Sequence, residues 1–216
     1  MAITISGQVA LVGQISVAIT PEPIILLDDF NRADTSGGVF GTASGGFIWQ
    51  RLEDTGGPHI VSNEAYKPGT GVNNYFYRAE QDVSSENHYA QITLLGHTNS
   101  SSSVSSGVTV RNADGSDAVC YSGEILSSGG STLTYRILRN NITLGQRVVL
   151  ATTSVTASFP KTVKIEVNGS QLSLYVDDVL QLGPISNTDI TGNTKTGMVW
   201  VGGGGMAMDN FEAGDL

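Results

Sequence analysis

Cysteine is almost missing from this 216-residue chain. The single Cys120 excludes an internal disulfide framework and any cysteine-based zinc site. It sits in the apolar run Ala118-Val119-Cys120-Tyr121 and reads as a buried, inert thiol. Charge is also scarce, at 14% of residues, against about a quarter in an ordinary globular domain. Basic residues are the scarcer kind: 11 Lys and Arg stand against 20 Asp and Glu, for a formal net charge of −9. A nucleic-acid binder needs a basic face for the phosphates, and no Lys/Arg cluster exists here, so that class is excluded. No apolar run reaches the roughly 18 residues of a membrane helix, so no membrane partner is expected. The segment Met1-Ala2-Ile3-Thr4-Ile5-Ser6-Gly7-Gln8 has neither the basic flank nor the unbroken apolar core of a signal peptide. The expectation is assembly in a host cytoplasm, without secretion by a signal peptide.

Glycine is abundant (27 residues), hydrophobic residues make up 39%, and mean hydropathy is +0.00. A core can therefore form. Ser, Thr and Asn stand where Lys and Glu usually do, which is the composition of strands and turns.

Ile3, Ile5, Val9, Leu11, Ile15, Val17 and Ile19 all fall on odd positions, completed by Gly7 and Gly13. The even positions are mostly small or polar, with Val12 as the large exception. Period 2 predicts strand with one apolar face. Pro21-Glu22-Pro23 stops the pattern. A boundary near residue 23 separates an N-terminal β-arm (1–23) from a main domain (24–216). The apolar row spans roughly 55 Å if extended. Left in water it invites association, so either the arm folds as a hairpin on its own domain or, the favoured reading, these side chains are the candidate partner-binding residues, adding strands to another subunit or assembly protein.

The main domain shows many short strands and no convincing helix. The strands are Ile24–Leu27, Phe47–Arg51, His59–Val61, Asn74–Arg78, His88–Leu95, Val104–Arg111, Ala118–Ile125, Thr132–Leu138, Arg147–Thr152, Thr162–Val167, Gln171–Val176, Gly197–Val201 and Ala207–Glu212. Turn signals such as Gly56-Gly57-Pro58 and Asp114-Gly115 separate them. This spacing predicts an antiparallel sandwich or barrel. One hairpin is especially legible: Val163, Ile165 and Val167 alternate with Lys164 and Glu166, Asn168-Gly169 turns the chain, and Leu172, Leu174 and Val176 return.

Asp28-Asp29-Phe30-Asn31-Arg32, Trp49, the Lys161–Asp177 hairpin, Ile190-Thr191-Gly192, Gly197-Met198 and Met208-Asp209-Asn210-Phe211-Glu212 follow one another in an order that resembles the concanavalin A-like, laminin-G-like jelly-roll domains. The resemblance covers about 28–215. It implies an all-β, antiparallel jelly-roll β-sandwich with the first and last strands side by side. It leaves function open among lectins, polysaccharide-binding modules, glycoside hydrolases, adhesion domains and viral surface proteins. It also implies calcium as a candidate ion, with Asp28, Asp29 and Asp209 as candidate ligands if the terminal strands are neighbours.

A glycosidase needs two carboxylates flanking the sugar bond, and the Glu-x-Asp-x-x-Glu arrangement of jelly-roll glucanases is missing. Glu53-Asp54 and Asp177-Asp178 are adjacent pairs that would point to opposite faces of a strand. His59, His88 and His97 have no metal-ligand spacing and read as polar strand-edge residues. Tyr75 and Tyr77 share one face and are candidate sugar-stacking residues; Trp49 and Trp200 fit strand patterns and read as core. The expectation is a non-enzymatic structural or adhesive virion protein, such as a bacteriophage head-decoration or tail-associated protein. It would be homo-oligomeric, anchored by its arm to other virion proteins, and exposed through a lectin-like domain. The alternative is a carbohydrate-binding module for a cell-surface glycan, and a glycoside hydrolase is the third reading.

Overall fold

The computed structural model describes residues 22–52, 57–68, 74–97, 102–113 and 118–216. The arm residues Ile3–Ile19 lie outside the described residues.

The described residues contain strands and turns but no helix, and the strands build two stacked antiparallel sheets. The back sheet runs β13 (Val179–Ser186), β12 (Gln171–Val176), β11 (Lys161–Asn168), β6 (His88–His97), β15 (Met206–Asp215), β4 (Glu64–Lys67), β3 (His59–Val61), with β1 (Ile25–Asp28) also paired to β15. The front sheet runs β10 (Gln146–Thr156), β9 (Thr132–Asn141), β8 (Val119–Ser127), β7 (Val104–Asn112), β14 (Lys195–Gly202), β5 (Asn74–Ala79), β2 (Trp49–Arg51). The first and last described strands are neighbours: Asp28 pairs with Phe211 and Ile25 with Gly214. The similar segments Asp28-Asp29-Phe30 and Asp209-Asn210-Phe211 therefore meet across one ladder.

Alternation decides which side chains enter the core. On β11 and β12 the even-spaced aliphatics Val163, Ile165, Val167, Leu172, Leu174 and Val176 are buried, and Ile165 pairs with Leu174. The turn sits one residue later than its Asn-Gly signal indicates. Asn168 stays in the ladder opposite Gln171, and Gly169 takes positive φ (56°). Asp177 and Asp178 both have positive φ (51° and 61°) and turn β12 into β13. Aspartate tolerates that region better than most residues.

The core is aromatic toward one end of the sandwich. Phe40 packs against Tyr77 with ring centroids 4.5 Å apart, and Trp49 against Phe211 at 4.8 Å. The sheets approach closely at Gly123 of β8. A Cβ there would lie 2.6 Å from Leu174 Cδ1 and 2.9 Å from Ile165 Cβ.

Candidate functional site: the outer face of the front sheet

The front sheet turns its inner residues onto the back sheet. Its other face is lined by Gln50, Phe76, Arg78, Ser105, Thr109, Cys120, Ser122, Glu124, Arg136, Asn140 and Arg147. Pairing places them there: Gly107 faces Glu124, Glu124 faces Arg136, and Asn140 faces Arg147 across successive ladders.

Glu124 is the centre of this face and is fully buried. Its carboxylate accepts hydrogen bonds from Ser105 Oγ at 2.5 Å and Ser122 Oγ at 2.5 Å, and from Arg147 Nη2. Arg136 Nη2 lies 3.7 Å from Oε2 and donates to Ser105 Oγ at 2.6 Å. Arg147 Nε donates to Asn140 Oδ1 at 3.0 Å, and Asn140 Nδ2 donates to Ser122 Oγ at 2.8 Å. One network thus ties β7, β8, β9 and β10. Burial alone would raise the Glu124 pKa, but the Arg147 charge and the Arg and Ser hydrogen bonds outweigh it and hold the carboxyl below its usual range. Burial pushes the Arg136 guanidinium pKa down, against the pull of Glu124.

Beside this network lies an apolar strip of Phe76, Ala118, Cys120, Ile142 and Val199. Beyond it Arg78 donates to Ala113 O at 2.5 Å and to Gln50 Oε1. Glu124 is the one acidic residue on the strands of this face among the described residues. Acid–base cleavage of a glycoside needs two carboxylates with separated pKa values. Glu124 alone does not make such a pair on this face.

Two clefts lie away from this face, each of about 280 Å³. The first runs along β1 and β15 beside Leu27, Asp28, Asp29, Ser44, Asn210 and Glu212. Two of the three candidate calcium ligands, Asp28 and Asp29, line it, and Asp209 is close enough to feel both charges. Burial raises the Asp209 pKa; the Asn210 amide opposes this, and the charges of Asp29 and Asp28 add to it. They do not fit a calcium site. Asp28 is buried and its oxygens are taken by donors: Arg32 Nη1 at 2.6 Å and Nη2 at 2.9 Å, Trp49 Nε1 at 2.6 Å and Phe30 N at 2.9 Å. Asp209 accepts from Asn210 N at 2.7 Å and Nδ2 at 3.1 Å, and Asp29 from Asn31 N at 3.1 Å. Among the described residues no group of His, Cys, Asp or Glu is arranged to hold a metal. The Asp28 carboxylate is instead a buried clamp joining β1, the following loop and β2.

The second cleft opens at one end of the sandwich, lined by His97, Ser127, Gly129, Gly130, Ser131 and Phe159, with Ser158 beside it. Sequence patterning gives no signal for it, because its residues come from the ends of separate strands.

Tyr75 and Tyr77 do share a face, as their spacing requires, but it is the inner one. They are 6% and 1% exposed and cannot stack on a sugar from solution. The Tyr77 hydroxyl bonds Gly38 O at 3.0 Å and Pro58 O at 3.2 Å. The reason is register: Met198 pairs with Tyr77 and Trp200 with Tyr75, and all four side chains enter the core. His88 is not at an edge either. It is fully buried, with Nδ1 2.9 Å from Ser85 O and Nε2 accepting from Arg111 N at 3.1 Å.

The fold is the concanavalin A-like jelly roll. No protein-family model matches the chain, and no curated protein matches it in sequence. Solved structures do match in shape. A non-specific endo-β-1,3(4)-glucanase of family GH16, SCLam, superposes with TM-score 0.56 at 11% identity, covering 92% of this chain and 93% of that one. The CBM2 module of the evolved Dit of Lactobacillus casei BL23 phage J-1 gives 0.55 at 12% identity, covering 90% and 97%. A Bacillus licheniformis β-glucanase gives 0.54 at 13%, covering 89% and 98%.

Proposed function

We propose that the protein is a non-catalytic adhesive component of a virion, with a glycan-binding sandwich held in place by its N-terminal arm. The observation that carries the non-catalytic reading is Glu124. Glucanases share this fold, yet the front face here offers one buried carboxylate already neutralised by Arg147 and Arg136. Binding, rather than cleavage, is the chemistry that such a face leaves to the fold. The shape match to a phage Dit carbohydrate-binding module supports the same direction.

The glycan contact falls in the end cleft. Ser131 and Ser158 offer exposed hydroxyls, Gly129 and Gly130 leave backbone groups accessible, and the half-buried Phe159 ring supplies an apolar wall. The arm reading gains support from β1, where the odd-row residues Ile25 and Leu27 remain exposed while Leu26 and Asp28 are buried.

Glycan-array binding by the full chain tests the first half. Phe159→Ala is expected to reduce it at least tenfold with the fold intact, and release of reducing sugar from a bound glycan would overturn the reading. Deletion of residues 1–22 tests the second half. It is expected to leave a folded sandwich that no longer attaches to its particle. Retained attachment would refute the tether.

A further inference from the structure

The two flanks of the sandwich are unlike. On one, the sheets end in β2 and β3, three residues each. Short edges are a common guard against unwanted strand pairing. On the other, the front sheet ends in β10, which has eleven residues and pairs only with β9 among the described strands. Its sequence, Gln-Arg-Val-Val-Leu-Ala-Thr-Thr-Ser-Val-Thr, contains no Pro and no Lys. The guanidinium of its one charged residue, Arg147, is turned away to Glu124 and Asn140. Val148 and Val149 are 42% and 47% exposed, and Leu144 at the hairpin tip is 65% exposed. The edge of the back sheet, β13, touches β10 and adds exposed Val179 and Leu180.

A strand added to β10 would have one face toward β13 and one toward water. It needs alternating apolar and small polar residues and no charge, and the segment Ile3–Ile19 has that pattern with no charged side chain. We infer that this segment of one copy adds as a strand to the β10 edge of a second copy. The inference rests on the reading of the arm as a tether and names the surface that receives it.

For the whole apolar row to dock, reach makes another copy the donor. β1, which follows the arm, lies five strands from β13 across the back sheet, or roughly 24 Å at about 4.8 Å per step. Only residues 20–23 separate the apolar row from Ile24, and the five steps from Ile19 to Ile24 span at most about 18 Å. The whole row cannot lie on its own β10 edge.

The test uses three full-length chains: wild type, an edge variant (V148K/V149K) and an arm variant (V9D/I15D), each checked for folding by circular dichroism. Sedimentation is measured across a concentration series. Wild type is expected above monomer mass and each variant at monomer mass. An equimolar mixture of the two variants is expected to form a heterodimer, since each retains the half that the other lost. If the edge variant keeps the wild-type mass while the arm variant falls to monomer, the arm docks elsewhere; this inference fails and the tether reading stands. If the arm variant keeps the wild-type mass and the edge variant does not, β10 pairs with β10 of another copy, and the inference fails. A monomeric wild type, or two monomeric variants that do not complement, overturns it as well.

Discussion

The outer faces of the two sheets carry similar residue types in opposite states. On the back sheet, polar and charged groups meet in pairs at partly exposed positions. Lys164 and Glu166 lie 2.8 Å apart, Tyr89 donates to Glu212, and Thr93 meets Thr162 at 3.2 Å. On the front sheet Ser105, Ser122, Glu124 and Asn140 are fully buried and joined in one network. Exposed pairs are individually replaceable, whereas a buried network stands or falls together. The comparison therefore predicts very different costs for removing one carboxylate.

Glu124→Ala is expected to have the largest effect. It removes a fully buried anion and leaves the partly buried Arg136 and Arg147 without it, and breaking a pair with a buried member costs about 3–5 kcal/mol. Urea unfolding at neutral pH should show that loss, and a loss below about 1 kcal/mol would erase the distinction between the faces. The same group sets an acid response. Its folded pKa is depressed, so its contribution is present above its ordinary value and is lost as pH falls through the lower folded value.

These two faces also explain what could be read without coordinates. β11 and β12 alternate because one face is wet, so their pattern and hairpin were legible, although the Asn-Gly signal misplaced the turn by one residue. β7 (Val-Ser-Ser-Gly-Val-Thr-Val-Arg-Asn) is buried on both faces, and its outer Ser105, Gly107 and Thr109 look like residues of a solvated segment. Nothing local marks Glu124 as special, since its partners Arg136 and Arg147 arrive from two other strands. β4 and β13 were missed for other reasons. Glu-Ala-Tyr-Lys is short, and β13 carries Pro184 and irregular register. Tyr75 and Tyr77 illustrate the remaining gap: period 2 fixes that they share a face, and only the ladder to Met198 and Trp200 says which.

His88 sharpens the comparison by joining the sheets. Burial, helped by the Arg111 charge and opposed by the Ser85 carbonyl, pushes its pKa down to about 4. Protonating Nε2 would set an N–H against the Arg111 N–H that it now accepts. The folded form stays neutral while the unfolded imidazole protonates near its ordinary 6.5. Stability from this site is complete above about pH 6.5 and falls as pH drops toward 4, by at most about 3 kcal/mol. NMR titration of the His88 ring should find its midpoint well below 6, and a midpoint near 6.5 would remove this link between the sheets.

Gly123→Ala should cost about 1–3 kcal/mol. The new Cβ meets Leu174 Cδ1 at 2.6 Å and Ile165 Cβ at 2.9 Å, and only the leucine tip can yield easily. Gly130→Ala is the control, because nothing lies within 4 Å of its Cβ position. Equal midpoints for the two variants in urea would mean that the sheets are not in close contact at β8.

Glu166→Ala should have the smallest effect. It removes a carboxylate from a β-strand, as Glu124→Ala does, and breaks a Lys ion pair with a short N–O distance. Its surroundings differ. Glu166 and Lys164 side chains are each about a fifth exposed, so water and salt screen the pair and re-solvate whichever partner is left. Lys164 also keeps its place over the Tyr175 ring, 4.7 Å from the centroid. The expected loss is about 0.5 kcal/mol or less, shrinking further in high salt, while the loss for Glu124→Ala should be nearly insensitive to salt. A loss at Glu166 comparable to that at Glu124 would show that the back face is also a cooperative network.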